Sequence, residues 1–191
     1  MHHIPNIISV LRLFLVLPIA LELQNEAWLN AFVLIFIAGV SDALDGFLAR
    51  AFKWQSKLGS ILDPLADKLL LIVIFVSLAY KGVIPNWLAI LIVVRDFVIL
   101  LGAITYHYLT RELKVSPLFS SKINTAFQII FVLALMYHLA INPLSEDLFT
   151  LLQIGVTLTT LFSGISYVIC WARYTIAFQQ KRGIEMEQIK R

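Results

Sequence analysis

Cysteine is nearly missing from this chain: Cys170 is the only one in 191 residues, which excludes a disulfide framework and a cysteine-built metal centre. Charge is scarce as well. Asp, Glu, Lys and Arg make up 14% of the residues, against about 25% in an ordinary soluble domain. No long polar block is present, so no separate soluble domain is expected, and no internal repeat of the kind that builds inverted-repeat transporters is visible. Nor does the amino-terminal apolar run read as a cleavable leader, because Arg12 interrupts it and no small-residue cleavage site follows.

What fills the sequence instead is apolar. Hydrophobic residues amount to 60%, and at about 20 residues per bilayer crossing they suffice for five or six spans. Runs fall at about 7–23, 29–50, 59–80, 86–109, 120–140 and 148–174. The expected fold is therefore all-α and integral to a membrane, with six transmembrane helices forming one domain over 1–191 and a basic tail at 175–191, either solvated or a short interfacial helix. Basic residues gather in alternate connections: Arg50, Lys53 and Lys57, then Arg111, Lys114 and Lys122, then Arg173, Lys181, Arg182, Lys190 and Arg191. The other connections carry Glu22, Glu26, Glu146 and Asp147, with Lys81 their sole base. The positive-inside rule then puts both termini in the cytoplasm. The formal charge of +3 is thereby explained without a nucleic-acid partner. Trp28, Trp54, Trp87 and Trp171 fall near the expected span ends, as an aromatic belt requires, and His107 and His138 read as interfacial residues with no ligand spacing.

Ionisable residues inside membrane spans cost about 2.5–3.5 kcal/mol each on insertion scales, so their positions carry information. Here they cluster. Asp42 and Asp45 lie near the end of the second run, and Asp63 and Asp67 near the start of the third. On helices, Asp42, Asp45, Gly46 and Ala49 share one face, while Gly59, Asp63 and Asp67 share another. Two successive helices thus aim four carboxylates at a common space. At an effective dielectric near 20, two like charges 4 Å apart repel by about 4 kcal/mol, so cations are required. Arg50 and Lys68 can supply part of that charge. An all-carboxylate set without His or Cys favours a hard divalent ion, Mg2+ or Mn2+, and two such ions could clamp both oxygens of a phosphoryl displacement. A cation channel or carrier would also use intramembrane acids, although these gather toward one leaflet only.

The run Asp42-x2-Asp45-Gly46-x2-Ala49-Arg50-x8-Gly59-x3-Asp63-x3-Asp67 resembles the complete signature of the CDP-alcohol phosphatidyltransferases. The resemblance implies transfer of a phosphatidyl group from CDP-diacylglycerol to an alcohol, with release of CMP. It implies that Asp42, Asp45, Asp63 and Asp67 bind the metals, that Asp67 is also the general base, and that Gly46, Ala49, Arg50 and Gly59 line the cytidine diphosphate site. A homodimer and a site facing the cytoplasm, or the matrix in an organelle, are the matching expectations.

Two further stretches bear on the acceptor. Val94-Arg95-Asp96 and Ser120-Ser121-Lys122-Ile123-Asn124-Thr125-Ala126-x-Gln128 look more like the cardiolipin synthase branch, whose acceptor is phosphatidylglycerol. The amino-terminal Pro5-Asn6-x2-Ser9-x2-Arg12 and Leu62-Asp63-Pro64-Leu65-Ala66-Asp67-Lys68 are similar to both that branch and the phosphatidylglycerophosphate synthases, which use glycerol 3-phosphate. Arg12, Arg95 and Lys122 are the candidates for the acceptor phosphate. Arg95 and Asp96 could equally form an ion pair within the fourth helix, and Arg12 could snorkel to headgroups.

Overall fold

The computed structural model describes the backbone of residues 4–52, 59–110 and 119–189 and the side chains of 11–42, 44, 66–102, 104–105 and 119–173. Among these residues every regular element is an α-helix: α1 (Ile4–Gln24), α2 (Trp28–Phe52), α3 (Gly59–Tyr80), α4 (Asn86–Thr110), α5 (Phe119–Ala140) and α6 (Glu146–Ile189). They follow the six apolar runs closely, because each run is long, rich in Leu, Ile and Ala, and broken only by turn residues. The tail differs from the expectation of a separate piece: α6 continues unbroken to Ile189, there being no proline after Pro143 to stop it.

The connections at one end are short and chemically explicit. In α3 the chain stops at Gly82, whose φ of 70° accompanies bonds from Gly82 N–H to the Ala79 carbonyl (2.9 Å) and from Val83 N–H to the Leu78 carbonyl (3.0 Å). That is a Schellman end, which a glycine enters without steric cost. α1 ends the same way with Glu26 in the left-handed position at φ 58°, and the Lys81 ammonium reaches Glu26 across 3.1 Å, tying the two turns. After α5, the Leu144 N–H donates to His138 Nδ1 at 2.9 Å, so His138 closes the turn before Glu146 and Asp147 open α6 at its favourable N-terminal dipole.

The helices form a ring in which α1 packs between α2 and α3, α4 between α3 and α6, and α5 between α2 and α6, while α3 also approaches α5 across the middle. Phe75 of α3 stacks on Phe131 of α5 with centroids 6.1 Å apart. Around them, Ile19, Leu23, Ile35, Leu78, Leu88, Ile92, Leu135 and Met136 make a dry core at the end that carries the short turns. The outside is equally apolar: Phe14, Leu17, Ile90, Leu101, Phe119, Leu151 and Phe162 are all more than half exposed. Two helices in the described residues, Phe119–Ala140 and Glu146–Arg173, are long and apolar enough to cross a membrane.

Candidate active site

Away from the dry end, buried charge appears on both sides of α3. Arg12 is the one basic residue of the first apolar run, and in α1 it is only 2% exposed. Its Nη2 lies 2.6 Å from Asp42 Oδ1 of α2, and its Nη1 donates to Asp67 Oδ1 of α3. Arg12 Nε is buried with no hydrogen-bond partner among the described residues. The two carboxylates are far more open than the arginine, with side chains 48% and 40% exposed. A pair of acids from two helices therefore converges on one cation and keeps a face toward the outside.

The second cluster lies on the other side of α3. Arg95 of α4 donates through Nη1 to Asp96 Oδ1 at 2.6 Å, and through Nη2 to Ser121 Oγ of α5 at 2.8 Å and to Ser163 Oγ of α6. Its guanidinium also sits 6.0 Å from the Tyr167 ring centroid, within cation–π range. Lys68, next to Asp67 in sequence, points to this cluster and reaches Asp96 Oδ1 at 3.0 Å. Gly164 lets the Arg95 stem lie against α6, its absent Cβ being 3.6 Å from Arg95 Cγ. Just beyond, Thr160 Oγ1 donates to Asn124 Oδ1 at 2.9 Å, while Asn124 Nδ2 and Gln128 Nε2 are buried without partners among the described residues.

Arg12, Asp42 and Asp67 stand at the edge of a groove of about 440 Å³ whose remaining walls are almost wholly apolar, including Ile35, Leu70, Ile74, Ile129 and Val132 from α2, α3 and α5. Gly39 opens onto it and has no atom within 4 Å of where a Cβ would stand. One end of this groove can hold ionic groups and the rest hydrocarbon.

Of the sequence candidates, the structure brings Arg12, Asp42 and Asp67 together. α2 is helical through Phe52 and α3 from Gly59, so the expected helical register of Asp45, Gly46, Ala49, Arg50, Gly59 and Asp63 is kept, but their side chains lie outside the described residues. Among the described residues no group of three or more His, Cys, Asp or Glu side chains is assembled. The donor chemistry of Asp42 and Asp67 nevertheless fits a hard divalent ion: both are oxygen ligands, both are partly open, and both already meet at a positive charge.

Three residues have partners that the sequence does not give them. Lys68 reaches Asp96 of α4. Arg95 is 5% exposed and tied to three side chains, whereas Lys122 is exposed. Ser163, which nothing in the sequence singles out, is a fully buried partner of Arg95. The signal for Arg12 was available: an isolated cation in a membrane run calls for an acid in a neighbouring helix.

Residues 2–178 match the family model of CDP-alcohol phosphatidyltransferase. The chain belongs to the CDP-alcohol phosphatidyltransferase family. It is 36% identical to cardiolipin synthase (CMP-forming) of Homo sapiens over 183 residues, covering 86% of this chain and 60% of that protein. Similarity extends to CDP-diacylglycerol–glycerol-3-phosphate 3-phosphatidyltransferase 1, chloroplastic, of Oryza sativa subsp. japonica, at 34% over 186 residues, 87% of this chain and 56% of the relative. A cardiolipin synthase (CMP-forming) of Streptomyces coelicolor is 38% identical over 114 residues, 54% of this chain and 52% of that one. The chain thus spans roughly half to three-fifths of these relatives. In this CDP-alcohol phosphatidyltransferase, Asp42 and Asp67, which meet at Arg12 of α1, are the signature acids whose side chains are in view.

Proposed function

We propose that the protein makes a membrane phospholipid by transferring the phosphatidyl group of CDP-diacylglycerol to the hydroxyl of phosphatidylglycerol, giving cardiolipin and CMP. The observation that carries this reading is the convergence of Asp42 and Asp67 on one cationic position at the rim of an apolar groove. A CDP-linked lipid needs a polar end for its diphosphate and a hydrocarbon-compatible wall beside it.

In the reaction, the acceptor hydroxyl oxygen forms a new bond to the lipid-bearing phosphorus, and the bond from that phosphorus to the CMP oxygen breaks. The hydroxyl proton passes to a carboxylate oxygen of Asp67, in general-base catalysis. Asp42, Asp45, Asp63 and Asp67 are the residues to hold Mg2+ or Mn2+, two ions per site; when bound they supply electrostatic stabilisation of the charge on the leaving CMP. Gly46, Ala49, Arg50 and Gly59 serve the cytidine diphosphate. Lys122 offers an exposed charge to the acceptor phosphate, and Arg12 and Arg95 can join it only by giving up their present acids.

The exposed apolar flanks of α1, α4, α5 and α6 support a chain embedded in a bilayer, with all six helices crossing it and both termini in the cytoplasm or matrix. The protein acts as a homodimer in this reading. The rice relative's name favours a second acceptor, glycerol 3-phosphate, on the same donor.

A CMP-release assay tests the proposal. Purified protein with CDP-diacylglycerol and Mg2+ or Mn2+ is expected to release CMP when phosphatidylglycerol is added. Release with glycerol 3-phosphate alone would replace the acceptor, and cation flux in liposomes with no CMP from any acceptor would replace the enzyme by a channel.

A further inference from the structure

Asp42 and Asp67 belong to different helices, yet one guanidinium spans both. Among the described residues Arg12 bridges their charges, while Lys68 is turned to Asp96 on another side of α3. The arrangement is lopsided. Arg12 is 2% exposed, with both Nη atoms at ion-pair distance from the acids and Nε without a hydrogen-bond partner among the described residues, whereas the acids remain nearly half open. The open faces of the carboxylates can be reached by a cation that does not first pass the arginine. It cannot share their Arg12-facing oxygens at short range, because a guanidinium and a dication there repel each other.

We propose that Arg12 is a tethered counter-cation, occupying the Asp42–Asp67 position until a divalent metal takes its place, so that metal binding and release of the Arg12 guanidinium are one exchange. This rests on the metal-dependent reading above and deepens it. The exchange has a chemical use. A buried arginine freed at the groove rim becomes a donor for a phosphate oxygen at the moment the metal arrives, and this reconciles the role in acceptor binding that the sequence suggests for Arg12 with the ion pairs it makes here. It also spares the protein two facing carboxylates with no cation between them when metal is absent.

The test is Mn2+ affinity, read from the electron paramagnetic resonance signal of free Mn2+ with the whole chain in zwitterionic nanodiscs. Arg12→Gln removes the competitor, so Mn2+ should bind about tenfold more tightly or better, the effect of deleting one adjacent like charge; Arg12→Lys, which keeps the charge, should stay near the parent. Equal or weaker binding by Arg12→Gln overturns the exchange, as does Arg12→Lys behaving like Arg12→Gln. Should Arg12→Gln fail to fold, the parent protein decides: in a 15N-arginine spectrum the Arg12 resonance, assigned by its loss in Arg12→Lys, must move on adding Mg2+, and a static resonance refutes the proposal. Absence of Mn2+ binding in both the parent and Arg12→Gln brings down the metal-dependent reading together with the exchange, whereas unchanged affinity brings down the exchange alone.

Discussion

Two buried arginines flank α3, and their surroundings are opposite in kind. Arg12 faces two acids that are 48% and 40% exposed; Arg95 faces Asp96, 8% exposed, together with two serines and a tyrosine ring. The first cluster is a charge with a door, because its acids keep open faces. The second is closed around Arg95 and Asp96, with Lys68 alone open at its edge, and its hydrogen bonds tie α3, α4, α5 and α6 to each other. Charge buried beside open partners suits exchange with ions from outside, while charge enclosed by its partners suits architecture. Deleting one member of an enclosed pair leaves the other stranded in low dielectric, which is costly, whereas an acid at an open site recovers water.

Substitutions should therefore separate the two clusters by what they damage. The largest effect is expected at the open one, on chemistry: Asp67→Asn should lower CMP release by about a thousandfold, in the range for losing a general base, while nucleotide binding, followed by titration with CDP-diacylglycerol, stays largely intact. At the closed cluster the loss should be in folding. Arg95→Met should cost about 3 kcal/mol, measured by denaturant unfolding in micelles, with a good part restored in Arg95→Met/Asp96→Leu. Gly102→Ala probes the same α4–α6 seam without touching charge. A Cβ there would meet the Trp171 ring at 2.5–2.8 Å, and overpacking of about 2 kcal/mol is expected in the same unfolding measurement. Smallest should be the stability cost of Arg12→Gln, about 1 kcal/mol, since Asp42 and Asp67 can turn to water. A larger stability loss for Arg12→Gln than for Arg95→Met would erase the distinction between the clusters.

Helix number and limits were legible because apolar runs and turn residues report directly on local structure. Gly82 and the Glu146–Asp147 pair mark their helix ends in the sequence itself. The need for a partner was legible for the same reason: Asp42 and Asp67 are costly where they stand, so each called for a neutralising group, and Arg12 meets both. What the sequence did not disclose is which cation goes to which acid. Lys68 follows Asp67 directly, and only the packing of α3 against α1 on one side and α4 on another sends Asp67 to Arg12 and Lys68 to Asp96. Ser163 and Thr160 gave no signal either, since hydroxyls in membrane helices also bond to their own backbone, as Thr157 and Thr159 do here.

The adjacency of Asp67 and Lys68 has a mechanical side. Consecutive residues on a helix project about 100° apart, so these two side chains fasten α3 to α1 and to α4 from different directions. A roll of α3 about its own axis would pull on both fastenings at once. While both contacts hold, the segment that carries the final aspartate of the signature is keyed like a shaft between two bearings, and release of Arg12 would leave it fastened to α4 alone.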